Sequence, residues 1–197
     1  MASNDYQFVT RWRFDNTTPD EVDAILTRGE DLARWWPSVY LDVKKLAPSG
    51  PDGTGARFEL YTQGWLPYRL RWSFTVTKAN HPSSFAIAAT GDFVGTGEWS
   101  IVAAEGGRVD VTYDWVISAD KPLLKYLSFI MKPFFSLNHQ WAMERGREAL
   151  ELELRRVHGE KDVPPPRGPV PAWKSGGIVL FVFSGAAAVI WALRTLL

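Results

Sequence analysis

Histidine is the side chain whose ordinary pKa lies nearest neutrality, so the three histidines are where proton transfer would first be sought. His139 stands in the run Asn138-His139-Gln140-Trp141-Ala142-Met143. A general base needs a partner that holds its ring in place. No carboxylate lies at helical spacing before His139, and the next acid after it is Glu144. The pattern favours a packed or capping histidine over a catalytic one. Asn138 and Tyr113 offer an amide and a phenol that could orient the polar head of a ligand, or satisfy buried backbone groups. Asp110 and Asp114 are four apart in an alternating run and so share a face, the one opposite Val109 and Tyr113. That face is expected to be solvated, as is the one shared by Arg69 and Arg71. His81, His139 and His158 fall on unrelated elements, and the chain has no cysteine, so no metal set or cofactor is expected. Gly95-x-Gly97 lacks the third glycine that would open a helix, which removes the dinucleotide fingerprint. No nucleophile, base and orienting group come together, and no catalytic residue is assigned.

The elements that would carry these residues read mostly as strands. Tyr6, Phe8, Thr10, Trp12 and Phe14 alternate with polar or charged neighbours, the period of a half-buried strand. Thr18-Pro19-Asp20-Glu21 supplies an N-cap, a proline at the first helical position and acids in the first turn. This short helix ends near Gly29, and a second spans Asp31 to Trp36 and stops at Pro37. Strands follow over Val39–Leu46, Gly55–Thr62, Tyr68–Thr77, Ser84–Thr90, Gly97–Ala103 and Arg108–Ser118, separated by glycine, proline and asparagine turns. Connections of hairpin length imply about seven antiparallel strands. From Pro122 the period turns helical, with Leu123, Leu127, Ile130, Phe134, Trp141, Ala149 and Leu152 on one stripe. Pro133 is expected to kink or restart this helix.

One strand, two short helices, six strands and a long C-terminal helix is the order of the helix-grip fold. Leu32-Ala33-Arg34-Trp35-Trp36-Pro37, Gly95-Thr96-Gly97-Glu98-Trp99 and Asn138-His139-Gln140-Trp141-Ala142-Met143 give the chain, over Tyr6 to Arg156, a resemblance to the START-like (SRPBCC) superfamily and its polyketide cyclase/dehydrase-type group. The resemblance implies an α+β domain in which a curved antiparallel sheet grips the long helix. It also implies an apolar ligand held between sheet and helix. The candidate lining is Trp12, Phe58, Trp72, Phe74, Trp99, Tyr113 and Trp115 from the sheet, with Phe134, Asn138, His139 and Trp141 from the helix. The alternative is that these rings fill a solid core. A cyclase or aromatase would instead use Tyr113, Asn138 and His139 to steer an enol or enolate.

Beyond the domain (6–157), His158 to Ala172 holds five prolines and two glycines. Such a segment favours polyproline II at roughly 3 Å per residue, a semi-rigid spacer of about 40 Å within a linker over 158–174. Its other reading is a proline-rich ligand that makes the domain an interaction scaffold. Gly177 to Leu193 carries no charge, and the stretch 175–197 has the ~20 residues that cross a hydrocarbon core. Trp173 and Lys174 precede it and Arg194 closes it, residues that gain at an interface. Met1 to Thr18 has no apolar secretory core, so a C-terminal tail anchor is expected. Arg167 and Lys174 on the near side favour a cytoplasmic domain. Equal numbers of basic and acidic residues, 22 of each, and no local basic surplus argue against a nucleic-acid partner. The expected partners are a hydrophobic small molecule and a lipid bilayer. Protein partners are left open.

Overall fold

A computed structural model describes residues 5–66, 68–92, 94–118 and 122–171, with backbone alone at 5, 118, 122–132 and 134. The order is β1 (Asp5–Asp15), α1 (Pro19–Leu26), a 3-10 turn (Gly29–Asp31), α2 (Leu32–Trp35), β2 (Tyr40–Ala47), β3 (Arg57–Gln63), β4 (Arg69–Asn80), β5 (Ser84–Gly91), β6 (Val94–Ala104), β7 (Arg108–Ser118) and α3 (Pro122–Val157). The seven strands form one sheet in the order β1-β7-β6-β5-β4-β3-β2, and every neighbouring pair is antiparallel. Chain-adjacent hairpins build the sheet from β2 to β7, and β1 returns to close on β7. The stretch 175–197 lies outside the described residues. Among the described residues no helix is long and apolar enough to cross a membrane.

Local chemistry accounts for the elements. Thr18 and Glu21 form a reciprocal capping box at the start of α1, with Pro19 in its first turn. On β7, Val109, Val111, Tyr113 and Trp115 are buried. On its other face Asp110 pairs with Arg13, its partner across the β1–β7 ladder, at 2.6 Å. Asp114 accepts from Gln7 at 3.0 Å on the same face. The hydrogen bond from Arg13 holds the Asp110 carboxyl below its ordinary pKa.

Helix α3 runs through Pro133 without a break, so the proline neither ends nor restarts it. Pro133 is exposed, which leaves its ring clear of the core. The second half of α3 buries Met143, Ala149, Leu150 and Leu154 at helical spacing. Fully burying a leucine such as Leu150 contributes about 1.5–3 kcal/mol. Glu153 is buried between two guanidinium groups, Arg34 of α2 at 2.8 Å and Arg156 one turn on, and so ties α2 to α3.

The connections sort to two ends of the sheet. The β2–β3, β4–β5 and β6–β7 turns lie at one end with the start of α1, and the β3–β4 and β5–β6 turns lie at the other. The last residues of α3 reach the first end, where His158 Nε2 is 3.2 Å from Glu21 Oε1. Residues 158–171 then turn back rather than extending away as a spacer. Arg156 donates to the Pro164 carbonyl at 2.6 Å, Arg167 lies 3.6 Å from Glu148, and Gln63 donates to the Val170 carbonyl at 2.7 Å. Val163, Pro166 and Val170 are half-buried in an otherwise exposed segment, close to the three-residue turn of polyproline II. Side-chain donors on the domain meet carbonyls that a proline-rich chain cannot use internally.

Candidate functional site

The inward faces of the strands carry a connected series of rings. Trp12 lies 5.4 Å from Trp99, which stacks on Tyr113 at 4.1 Å, and Tyr113 stacks on Trp115 at 5.8 Å. Trp115 meets Trp72 at 6.1 Å, Trp72 meets Phe74 at 6.2 Å, and Phe74 meets Phe58 at 5.1 Å. Large rigid rings on a sheet face cannot all interdigitate with the helices above them, and a cavity of about 310 Å³ remains. Phe58, Trp72, Phe74, Ile87, Trp99 and Tyr113 form its floor and walls. Its roof is the segment from Leu26 to Trp36, together with Tyr40 and Met143.

Glycines set how closely these parts approach. A Cβ on Gly29 would come within 2.8 Å of the Phe58 ring, so the 3-10 turn lies directly on the cavity wall. A Cβ on Gly97 would come within 2.6 Å of the Tyr113 hydroxyl. Burial, and secondarily the neighbouring Tyr40, push the Tyr113 phenol well above its ordinary pKa, so it stays neutral.

The exposed lining residues Arg28, Glu30, Lys45, Ser49 and His81 mark the mouth. Lys45 Nζ is 3.2 Å from Glu30 and 5.7 Å from the centre of the Phe58 ring. His81 Nδ1 is 2.8 Å from Asp23 Oδ1, and Asp23 lies on the buried face of α1. The Asp23 carboxylate accepts from Nδ1 and so holds the His81 ring in place at the mouth. The mouth can therefore hydrogen-bond a polar head, while the interior is mainly aromatic, with the Tyr40 and Tyr113 phenols and the Trp36 indole N–H, which has no hydrogen-bond partner among the described residues, as its polar groups.

Five of the residues assigned to the lining from sequence face this cavity: Phe58, Trp72, Phe74, Trp99 and Tyr113. Trp12 and Trp115 stand behind them as packing partners of Trp99 and Tyr113. The α3 residues lie elsewhere. Asn138 Oδ1 accepts from the backbone of Trp65 at 3.0 Å and Leu66 at 3.3 Å, which satisfies the β3–β4 turn. His139 stacks on Phe8 at 4.5 Å and lies 3.3 Å from Thr10 Oγ1; burial lowers its pKa to about 4. Trp141 lies beneath Arg145, 5.8 Å from its guanidinium carbon, and the Phe134 side chain is outside the described residues. Asn138 and His139 are thus separated from Tyr113 and do not form a common site with it.

Sequence reasoning missed the roof and the mouth. Residues 27–30 have no hydrophobic period, and His81 stands fifty-eight residues from its partner Asp23, so neither carried a local signal. The Trp35-Trp36 pair before Pro37 was the one cue that this segment packs inward.

No family model and no curated protein matches this sequence. Solved structures do match the fold. A START superfamily protein from Mycobacterium smegmatis superposes with a TM-score of 0.62 at 15% identity, over 77% of this chain and 98% of its own. The chain carries the helix-grip fold. The Zhui aromatase/cyclase from Streptomyces sp. R1128 gives 0.61 at 15% identity over 78% and 96% of the two chains. A protein from Thermus thermophilus gives 0.61 at 15% identity over 79% and 100%. At this identity the shared property is the helix-grip architecture.

Proposed function

We propose that the protein binds a compact apolar small molecule in the helix-grip cavity, with the ligand's polar end at the mouth, and that residues 175–197 hold the domain on a bilayer. The observation that carries the binding reading is the 310 Å³ cavity with an aromatic interior and a polar mouth. A cavity of this volume lies at the lower end of small-molecule sites, about 300–1,000 Å³, which favours a ring system or a short single chain over a two-chain lipid. The fold shared with a START superfamily protein and an aromatase/cyclase supports a ligand-holding role without assigning a reaction.

The test is solvent extraction of purified full-length chain followed by mass spectrometry, beside Val76→Trp. Val76 is a half-buried lining residue, and an indole there fills the cavity from the strand side. The wild type is expected to release one apolar species in stoichiometric amount, and the variant to release none while melting within a few degrees of wild type. Extraction of nothing apolar from the wild type ends the reading.

A further inference from the structure

We propose that residues 158–171 are a strap that fixes which end of the domain faces the membrane, so that the β3–β4 end, with Tyr61, Arg69 and Arg71, rests on anionic lipid headgroups and the cavity mouth points away. The inference rests on the tether assigned to residues 175–197 and goes beyond it. A free linker would let the domain tumble; the contacts found here do not. The strap leaves α3 at the end of the sheet that holds the mouth. It passes Arg156 and Glu148 in turn and is caught at Val170 by Gln63.

Gln63 is buried and committed on both sides of its amide. Its Nε2 donates to Val170, and its Oε1 accepts from Arg69 Nε at 3.2 Å. The last described residue, Pro171, is therefore held at the β3–β4 end of the sheet. Only Ala172, Trp173, Lys174 and Ser175 separate it from the uncharged stretch that begins at Gly176. Four residues span at most about 14 Å, so that end cannot stand far from a bilayer entered at Gly176.

The surface beside this exit has the matching chemistry. The Arg71 guanidinium lies 4.4 Å from the centre of the Tyr61 ring and that of Arg69 5.6 Å, and Arg69 Nη1 donates to the Tyr61 hydroxyl at 3.2 Å. Among the described residues neither guanidinium makes an ion pair, unlike those of Arg13, Arg34, Arg147 and Arg155, and the nearby Asp92 carboxylate accepts from the Arg71 backbone N–H at 2.8 Å. Two guanidinium groups on a tyrosine, next to a chain exit followed by Trp173 and Lys174, suit an anionic interface. The mouth, at the other end of strands seven to twelve residues long, stands roughly 30 Å away.

The chain has no cysteine, so single labels are straightforward. Full-length Ser49→Cys, at the mouth, and Val94→Cys, at the opposite end, are labelled with a fluorophore. Each is reconstituted into vesicles of phosphatidylcholine and phosphatidylglycerol that carry a headgroup nitroxide. The expected result is flotation of both proteins with the vesicles and severalfold stronger quenching at position 94 than at 49. That contrast should fall in Gln63→Ala/Arg167→Ala, which frees the strap, and in Arg69→Gln/Arg71→Gln, which removes the charge. Flotation with equal quenching at both positions, or with the contrast reversed, overturns the orientation and leaves the tether standing. Failure to float overturns the tether and the orientation with it.

Discussion

His139 shows how a residue chosen for its chemistry can have a purely structural place. Its ring stacks on Phe8 and, among the described residues, its Nε2 has only Thr10 Oγ1 nearby, at 3.3 Å, so nothing there compensates the burial of a charge. The folded form therefore refuses a proton until about pH 4, whereas the unfolded chain accepts one near 6.5. The sign follows from proton counting: between these values the unfolded state binds more protons, so stability falls as pH falls. The contribution is whole above pH 6.5 and is lost progressively down to pH 4. Its full size is on the order of 3 kcal/mol, of which about 2 kcal/mol is gone by pH 5. Urea unfolding at pH 7 and pH 5 is expected to show this loss, and His139→Phe to flatten the dependence across that interval. A wild-type stability that does not change from pH 7 to 5 would contradict the buried, neutral imidazole. Asn138 makes the same point about ligand-orienting residues: its amide oxygen is spent on the Trp65 and Leu66 backbone.

Between elements, the contact that sets the cavity roof is Trp36 against Gly146 of α3. A Cβ on Gly146 would come within 2.3 Å of the indole. Trp36 is itself held by Trp35 at 5.4 Å, Tyr40 at 5.2 Å and Trp12 at 6.1 Å, so the ring has nowhere to go. Helix propensity alone favours Gly146→Ala by about 1 kcal/mol, while overpacking a rigid core costs about 1–3 kcal/mol. The steric effect is expected to win. Gly146→Ala should lower stability by up to about 2 kcal/mol and weaken retention of a cavity ligand, checked by thermal melting and by the same extraction used for the wild type. A stabilised variant would mean that α3 does not press on Trp36. This contact also marks what the sequence made legible. Alternation along β4 and β7 and the capping box of α1 are local patterns, and they placed the strands, their inward faces and the short helix. The antiparallel sheet and long helix followed from those patterns and the element order. The roof over the cavity depends on a glycine facing a tryptophan one hundred and ten positions away, and no periodicity records that. For the same reason α3 could be placed in sequence but not rotated: its stripe said which residues were apolar, not that Asn138 and His139 faced the β3–β4 turn and β1.

At the scale of the whole molecule, the strap joins two properties that composition treated separately: a proline-rich segment and a domain. Proline supplies carbonyls without amide donors, so such a segment docks only where the domain offers donors, as Arg156 and Gln63 do. A protease reads this coupling directly, because cleavage needs several residues to leave the surface together. The Arg167–Gly168 bond is a tryptic site by sequence, and its arginine side chain is 70% exposed. Recognition of that side chain is therefore not what limits cutting; release of the backbone held at Pro164 and Val170 is. If opening and reclosing are fast, the cleavage rate tracks the population of the undocked strap. Loss of one hydrogen bond of about 1.4 kcal/mol then raises the rate about tenfold. Gln63→Ala in the full-length chain is expected to be cut at Arg167 about tenfold faster than wild type, with cleavage inside the folded domain unchanged. Equal rates at Arg167 in the two proteins would show the strap to be undocked already. In that case the domain would hang from a flexible tether, and its two ends would meet the bilayer equally often.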